Sequence, residues 1–170
     1  MEQANKGALP SNKQGIIFGV ITGIAMVVFN LIIRWKQVPQ SSVINFFVLA
    51  IYLIGVLAFC FLFSKNDAND TEFKGMFKGA FRMVAIVTIV LLAAALINVA
   101  VDPSLKKEIL DNNLAALEAA KKTPAEIDEA MKLSRDKFTL MIVMNTVFAN
   151  IFYGVVFAAI GAAIFRKNKV

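Results

Sequence analysis

The side chains that could perform chemistry in this chain are few. There is no histidine, which removes the commonest general base and the commonest transition-metal ligand. The single cysteine, Cys60, lies inside an apolar run, so one chain can form neither a disulfide nor a cysteine zinc site. The closely spaced acids Glu126, Asp128 and Glu129 are typical of a solvated helix face. We therefore expect no catalytic residue, metal or cofactor, and the protein is predicted not to be an enzyme.

Asparagine is the polar residue that recurs within the apolar part of the sequence. The candidate polar cluster consists of Asn30, Asn45, Asn98, Asn145 and Asn150. Amides of this kind hydrogen-bond between helices in lipid, at about 0.6 to 2 kcal/mol each. They either hold helices together or line a cavity that opens to the outside of the membrane, and both interpretations stand at this point.

A second group of residues that could perform a binding function is basic. The segment "TEFKGMFKGAFRM" sets Lys74, Lys78 and Arg82 beside phenylalanines that recur at the same spacing. Basic residues next to aromatic ones indicate an interfacial helix that contacts anionic lipid. The alternative is that these charges only anchor the following membrane helix and fix its topology.

The elements that must position these groups are four apolar runs. Of 170 residues, 58% are hydrophobic and 18% are charged, which departs strongly from ordinary soluble domains. The runs extend from Gly15 to Ile33, from Val43 to Phe63, from Phe81 to Val101 and from Phe138 to Phe165. Each is close to the roughly 20 residues that cross a hydrocarbon core. The sequence therefore predicts an all-α membrane protein with four transmembrane helices in an up-down bundle.

The long third loop is predicted to form a helical hairpin outside the membrane. Asp102 before Pro103 is typical of a helix start, and Thr123 with Glu126 matches a capping box. No glycine or proline interrupts the sequence from Ile127 to Phe138, so the second hairpin helix is expected to continue directly into the fourth transmembrane helix. The predicted domains are a flexible cytoplasmic N-terminus at 1–14, a membrane domain at 15–165 that includes the hairpin at 102–137, and a basic tail at 166–170.

Small residues mark where the helices are expected to approach closely. They are Gly15, Gly19 and Gly23 in the first run and Gly154, Ala158, Gly161 and Ala162 in the fourth. Glycine costs a helix about 1 kcal/mol relative to alanine, so such stripes indicate helix packing. We expect the two stripes to pack against each other, because an up-down bundle brings its first and last helices together. The alternative is that the glycine face of the first helix joins two copies of the protein.

Orientation rests on the context of the basic residues, because their numbers on the two sides are equal. Those of the third loop are interspersed with acids and lie mostly far from the apolar runs, whereas the opposite side has short basic segments. Both termini are therefore expected in the cytoplasm and the hairpin in the periplasm. The net charge of +6 reflects membrane anchoring, and no nucleic-acid partner is expected.

Several of these features together resemble a known family. They are the glycine stripe, "FKGAF" near the start of the third helix, "DP" after it and the acidic hairpin before the fourth helix. Over nearly the whole chain they are similar to bacterial domain-of-unknown-function family 4199. The resemblance implies a small four-helix protein of the bacterial inner membrane with no assigned activity, and it supplies no catalytic residue.

The sequence thus favours an accessory or interaction subunit that presents its hairpin to a membrane or periplasmic protein. The lipid bilayer is its expected surroundings, with anionic lipids and a second copy of the chain as further partners. The alternative function is binding or transport of a small molecule or lipid in a cavity lined by the asparagines.

Overall fold

The computed structural model describes residues 11–36, 38, 41–66 and 69–167. Within them lie the helices α1 (Ser11–Trp35), α2 (Ser42–Ser64), α3 (Phe73–Val101), α4 (Pro103–Ala119), α5 (Pro124–Asp136) and α6 (Phe138–Phe165). Four of these helices, α1, α2, α3 and α6, are long and apolar enough to cross a membrane. The described residues therefore confirm the predicted helical class and the four candidate membrane spans. Most of the predicted N-terminal segment and of the basic tail lies outside the described residues.

The third membrane helix begins earlier than the apolar run in the sequence. We expected a boundary at Phe81, but α3 starts at Phe73 and continues without a break to Val101. The basic side chains of its first turns are exposed, so they do not interrupt the buried face of the helix. The interfacial helix expected from the sequence is thus the beginning of α3 itself.

The predicted start signals of α4 and α5 are confirmed. The Asp102 carboxylate accepts a hydrogen bond from the Ser104 amide at 2.9 Å, and proline follows in the first turn. Thr123 and Glu126 form a reciprocal capping box, in which the Thr123 amide donates to Glu126 Oε2 at 2.9 Å. This backbone hydrogen bond, then the Thr123 hydroxyl and Lys122, lower the pKa of the Glu126 carboxyl.

The expected continuity between α5 and the fourth membrane helix is wrong by one residue. Between Asp136 and Phe138, Lys137 adopts φ −111° and ψ 28° and interrupts the helix. Its amide still donates to the Leu133 carbonyl at 2.9 Å, so the hydrogen bonding of α5 is retained up to the break. Because a small local distortion of this kind requires neither glycine nor proline, no residue type marks it in the sequence.

The chain divides into two compact units. The first contains α1, α2, α3 up to Leu91 and α6 from Ala149, and the second comprises residues 92–148. All four membrane helices contribute buried side chains to the core of the first unit, among them Met26, Tyr52, Phe59, Met83, Val84 and Ala158. In the second unit α4 and α5 pack against each other, and Met131 and Phe138 are its buried hydrophobic side chains.

Candidate functional site

The glycine stripe of α1 faces α3. It consists of Gly15, Gly19 and Gly23, and all three residues are buried. A Cβ atom on Gly19 would lie 2.7 Å from Ile86 Cβ and 2.9 Å from the Met83 carbonyl oxygen. One turn later, a Cβ atom on Gly23 would lie 2.9 Å from Val90 Cβ. The two helices therefore approach more closely than a side chain on α1 would allow, and they run in the same direction.

The small residues of α6 lie against α2 and α3. They are Gly154, Ala158, Gly161 and Ala162, all of them buried. A Cβ atom on Gly161 would lie 2.7 Å from Cys60 Sγ. A Cβ atom on Gly154 would overlap the Tyr52 hydroxyl and the Val84 side chain. Because Tyr52 and Cys60 meet α6 in the same order along both helices, α2 and α6 also run in the same direction.

The pairing that we expected between the small residues of α1 and those of α6 is therefore wrong. At Gly19, Gly23 and Gly154 the glycine faces a larger side chain of another helix, such as Ile86, Val90 or Tyr52. The physical reason is volume, because a small residue opposite a large one fills the space between helices to the density of a protein interior. Two facing stripes of small residues would leave α2 and α3 without matching space for their larger side chains.

A second close contact, between α1 and α2, was not foreseen. A Cβ atom on Gly55 would lie 2.5 Å from the hydroxyl oxygen of the buried Thr22. One turn away, the rings of Phe18 and Phe59 meet edge to face with centroids 5.9 Å apart. The order of these contacts shows that α1 and α2 run in opposite directions. The available signal was Gly55 itself, because an isolated glycine inside a helix usually has a packing reason.

The five asparagines divide between the two units. Asn30, Asn45 and Asn150 belong to the first unit, and Asn98 and Asn145 belong to the second. Three of them are exposed, namely Asn30, Asn45 and Asn145. The Asn30 amide donates to the Met26 carbonyl of its own helix at 2.9 Å, and the Asn150 main-chain carbonyl accepts from the Tyr52 hydroxyl at 3.3 Å. The Asn30 amide is thus satisfied locally, while interhelical bonding and a lined cavity stay hypotheses for the others.

The first turns of α3 carry an aromatic row beside a basic row. The rings of Phe73, Phe77 and Phe81 stack in succession, with centroids 6.1 and 6.2 Å apart and ring planes inclined by 13° and 17°. The basic row consists of Lys74, Lys78 and Arg82, all exposed. We call these six residues the basic–aromatic face. The opposite side of the same turns is buried in the core through Met76 and Ala80.

The loop before α3 holds its acidic side chain close to the helix start. The Asp70 carboxylate accepts a hydrogen bond from the Glu72 amide at 3.2 Å and occupies the space beside Gly75, where a Cβ atom would overlap it. An acid in this position interacts favourably with the amide groups of the first helical turn. The Lys167 amide donates to the Thr71 carbonyl at 3.0 Å, which attaches the end of α6 to the same loop.

An open groove of about 350 Å³ runs between α4 and α5 in the second unit. We call it the hairpin groove, and its lining residues include Lys106, Lys107, Leu110, Asp111, Leu114, Met131 and Arg135. Apolar side chains form part of its wall and charged side chains the remainder. Lys106 also lies over the Phe138 ring, with Nζ 5.3 Å from the ring centre. The groove therefore combines an apolar surface with a charged margin.

The four apolar helices are candidate membrane spans, as in a polytopic helical membrane protein, and glycines mediate close contacts among them. The family described as "Protein of unknown function (DUF4199)" matches residues 17–167, and the chain belongs to this family. The resemblance noted in the sequence is thereby confirmed. No curated protein and no solved structure matches the chain significantly.

Proposed function

We propose that this protein is an accessory subunit of the bacterial inner membrane that presents its α4–α5 pair to a periplasmic or membrane protein partner. The observation that carries the proposal is the hairpin groove. Leu110 and Leu114 offer an apolar strip above the buried Met131, bordered by charged residues such as Lys107 and Arg135. An apolar centre with a polar margin is the usual anatomy of a protein interface.

The packing of the first unit supports an up-down bundle. α1 and α3 run in one direction, and α2 runs against α1 and parallel to α6. Four successive membrane crossings require this alternation, and they bring both termini to the same side of the membrane. The α3–α6 connection, which contains α4 and α5, then lies on the other side.

The distribution of basic residues supports a cytoplasmic location for the termini. One end of the first unit carries Lys13, Lys65, Lys74, Lys78, Arg82, Arg166 and Lys167. The described acids at that end are Asp70 and Glu72. An excess of lysine and arginine close to membrane helices favours the cytoplasmic side. We therefore propose a cytoplasmic location for both termini and a periplasmic one for the α4–α5 pair.

A non-catalytic role fits the acids of the α4–α5 pair. The Glu126 carboxylate binds the Thr123 amide and lies 3.3 Å from Lys122 Nζ, so it serves the start of α5. Asp128 and Glu129 are exposed on the same helix. The alternative function, a ligand cavity lined by asparagines, receives less support, because the Asn30 amide binds its own helix.

Cysteine labelling in intact cells tests the proposed orientation. In a Cys60→Ser background, Ala119→Cys is expected to react with a membrane-impermeant thiol reagent, and Val170→Cys is expected to react only after permeabilisation. The reason is that Ala119 ends α4 on the proposed periplasmic side. Labelling of Val170→Cys from outside would contradict the proposed topology.

Affinity purification in mild detergent tests the accessory role. The wild-type protein is expected to recover a stoichiometric partner, and Leu110→Lys/Leu114→Lys is expected to lose at least about 90% of it, because two charges in an apolar interface cost several kcal/mol. The matched control is Ala115→Lys, an exposed position on the same helix that is not among the groove residues. Equal recovery by the groove variant and the control would contradict the proposal, as would recovery of this chain alone.

A further inference from the structure

We propose that the basic–aromatic face of α3 binds an anionic phospholipid of the surrounding bilayer. The headgroup phosphate would lie against Lys74 and Lys78, and an acyl chain would lie along the row of phenylalanine rings. This site belongs to the first unit alone and does not depend on a partner for the α4–α5 pair.

The length of α3 brings this face to the depth of the lipid headgroups. Its 29 residues correspond to about 43 Å of helix, whereas the hydrocarbon core is about 30 Å thick. The surplus of roughly 13 Å allows the charged start of the helix to lie in the headgroup region. The stretch from Lys74 to Arg82 covers about 12 Å at the start of α3, which matches the region where phosphates are found.

The aromatic row and the basic row would contact different parts of the lipid, namely its acyl chain and its headgroup. The stacked rings of Phe73, Phe77 and Phe81 form a continuous apolar strip along the helix. Beside it, the lysine stems cover apolar surface while their ammonium groups reach the headgroups. A zwitterionic lipid could use the aromatic row equally well, so the basic row supplies the preference for an anion.

The acids near this face leave the two lysines available. Asp70 is held at the helix start beside Gly75 and binds the Glu72 amide. In the described part of the chain, no acid forms a salt bridge with Lys74 or Lys78. The surrounding end of the unit adds further positive charge through Lys13, Lys65, Arg166 and Lys167. Charge complementarity therefore selects an anionic headgroup.

Lipid titration of the full-length protein in detergent, followed by native mass spectrometry, tests the site. Phosphatidylglycerol is the probe, phosphatidylcholine is the neutral lipid, and inorganic phosphate is the free anion. We expect wild-type protein to prefer phosphatidylglycerol to phosphatidylcholine and to retain it in millimolar phosphate. Lys74→Gln/Lys78→Gln is expected to bind phosphatidylglycerol about 30-fold more weakly, since each cation near an anionic surface contributes about one kcal/mol.

Two matched variants make the result specific. Lys132→Gln/Lys137→Gln removes the same charge outside both the basic–aromatic face and the hairpin groove and is expected to bind like wild type. Lys74→Arg/Lys78→Arg keeps the charge and is expected to restore binding. The proposal is overturned if Lys74→Gln/Lys78→Gln and Lys132→Gln/Lys137→Gln bind phosphatidylglycerol equally. It is also overturned if the arginine variant fails to restore binding while its melting temperature matches wild type, or if inorganic phosphate displaces the lipid.

Discussion

Gly19→Leu is expected to lower the thermal stability of the detergent-purified protein severely, by about 3 kcal/mol or more. A Cβ atom at this position would lie 2.7 Å from Ile86 Cβ, 2.8 Å from Ile86 Cγ2 and 2.9 Å from the Met83 carbonyl oxygen. The Met83 carbonyl belongs to the α3 backbone, so the clash can be relieved only if the two helices move apart. The midpoint of thermal unfolding, measured at several protein concentrations, checks the prediction.

Gly15→Ala is the matched control on the same stripe. A Cβ atom there would lie 3.6 Å from the Gly79 carbonyl oxygen and 3.8 Å from Arg82 Cβ, which are ordinary contact distances. This variant is therefore expected to be neutral or slightly more stable, because alanine is the better helix former. If Gly19→Leu instead gave a stable monomer from a dimeric wild type, the contact between α1 and α3 within one chain would be refuted.

The glycine stripe shows what the sequence could and could not predict about packing. The spacing of Gly15, Gly19 and Gly23 indicated a close approach, and all three glycines are buried. The predicted partner helix, α6, was wrong, because that prediction rested on two small stripes facing each other, whereas the glycines contact α3. Nothing in the sequence of α3 singled out Ile86 and Val90 as the partners. The choice depends on how large side chains from several helices share one interior volume, and a single helix does not carry that information.

Local signals were more informative than tertiary ones. The capping box of Thr123 and Glu126 could be read directly from the sequence, because its hydrogen bonds join residues three positions apart. The break at Lys137 could not, since it depends on backbone geometry that many residues can adopt. The basic–aromatic face was visible as a spacing pattern, but its continuity with α3 was hidden by the charges that lower hydropathy there. The exposed side chains of Lys74, Lys78 and Arg82 lower the hydropathy but do not interrupt the helical backbone of α3.

Gly154→Ala is expected to destabilise the protein by about 1 to 3 kcal/mol through overpacking. Its added methyl group would overlap both methyl groups of Val84 and the Tyr52 hydroxyl. Val84 is fully buried and Tyr52 is 1% exposed, so neither side chain can turn into free space. The Tyr52 hydroxyl is further held by its hydrogen bond to the Asn150 carbonyl at 3.3 Å. The unfolding midpoint in detergent again provides the measurement.

The contact at Gly19 includes the backbone carbonyl of Met83, whereas the atoms nearest to a Cβ atom on Gly154 belong to side chains only. A second substitution can therefore relieve the clash at Gly154. Val84→Ala removes the two methyl groups nearest to the new Cβ atom, and the cost of Gly154→Ala should fall by about 0.5 to 3 kcal/mol in that background. Ile44→Ala is the control, because Ile44 is also buried but lies about 12 Å before Tyr52 along α2. Combined with Gly154→Ala, it should give an additive loss. If Gly154→Ala costs the same in the Val84→Ala background as in wild type, α6 does not meet α3 at this contact.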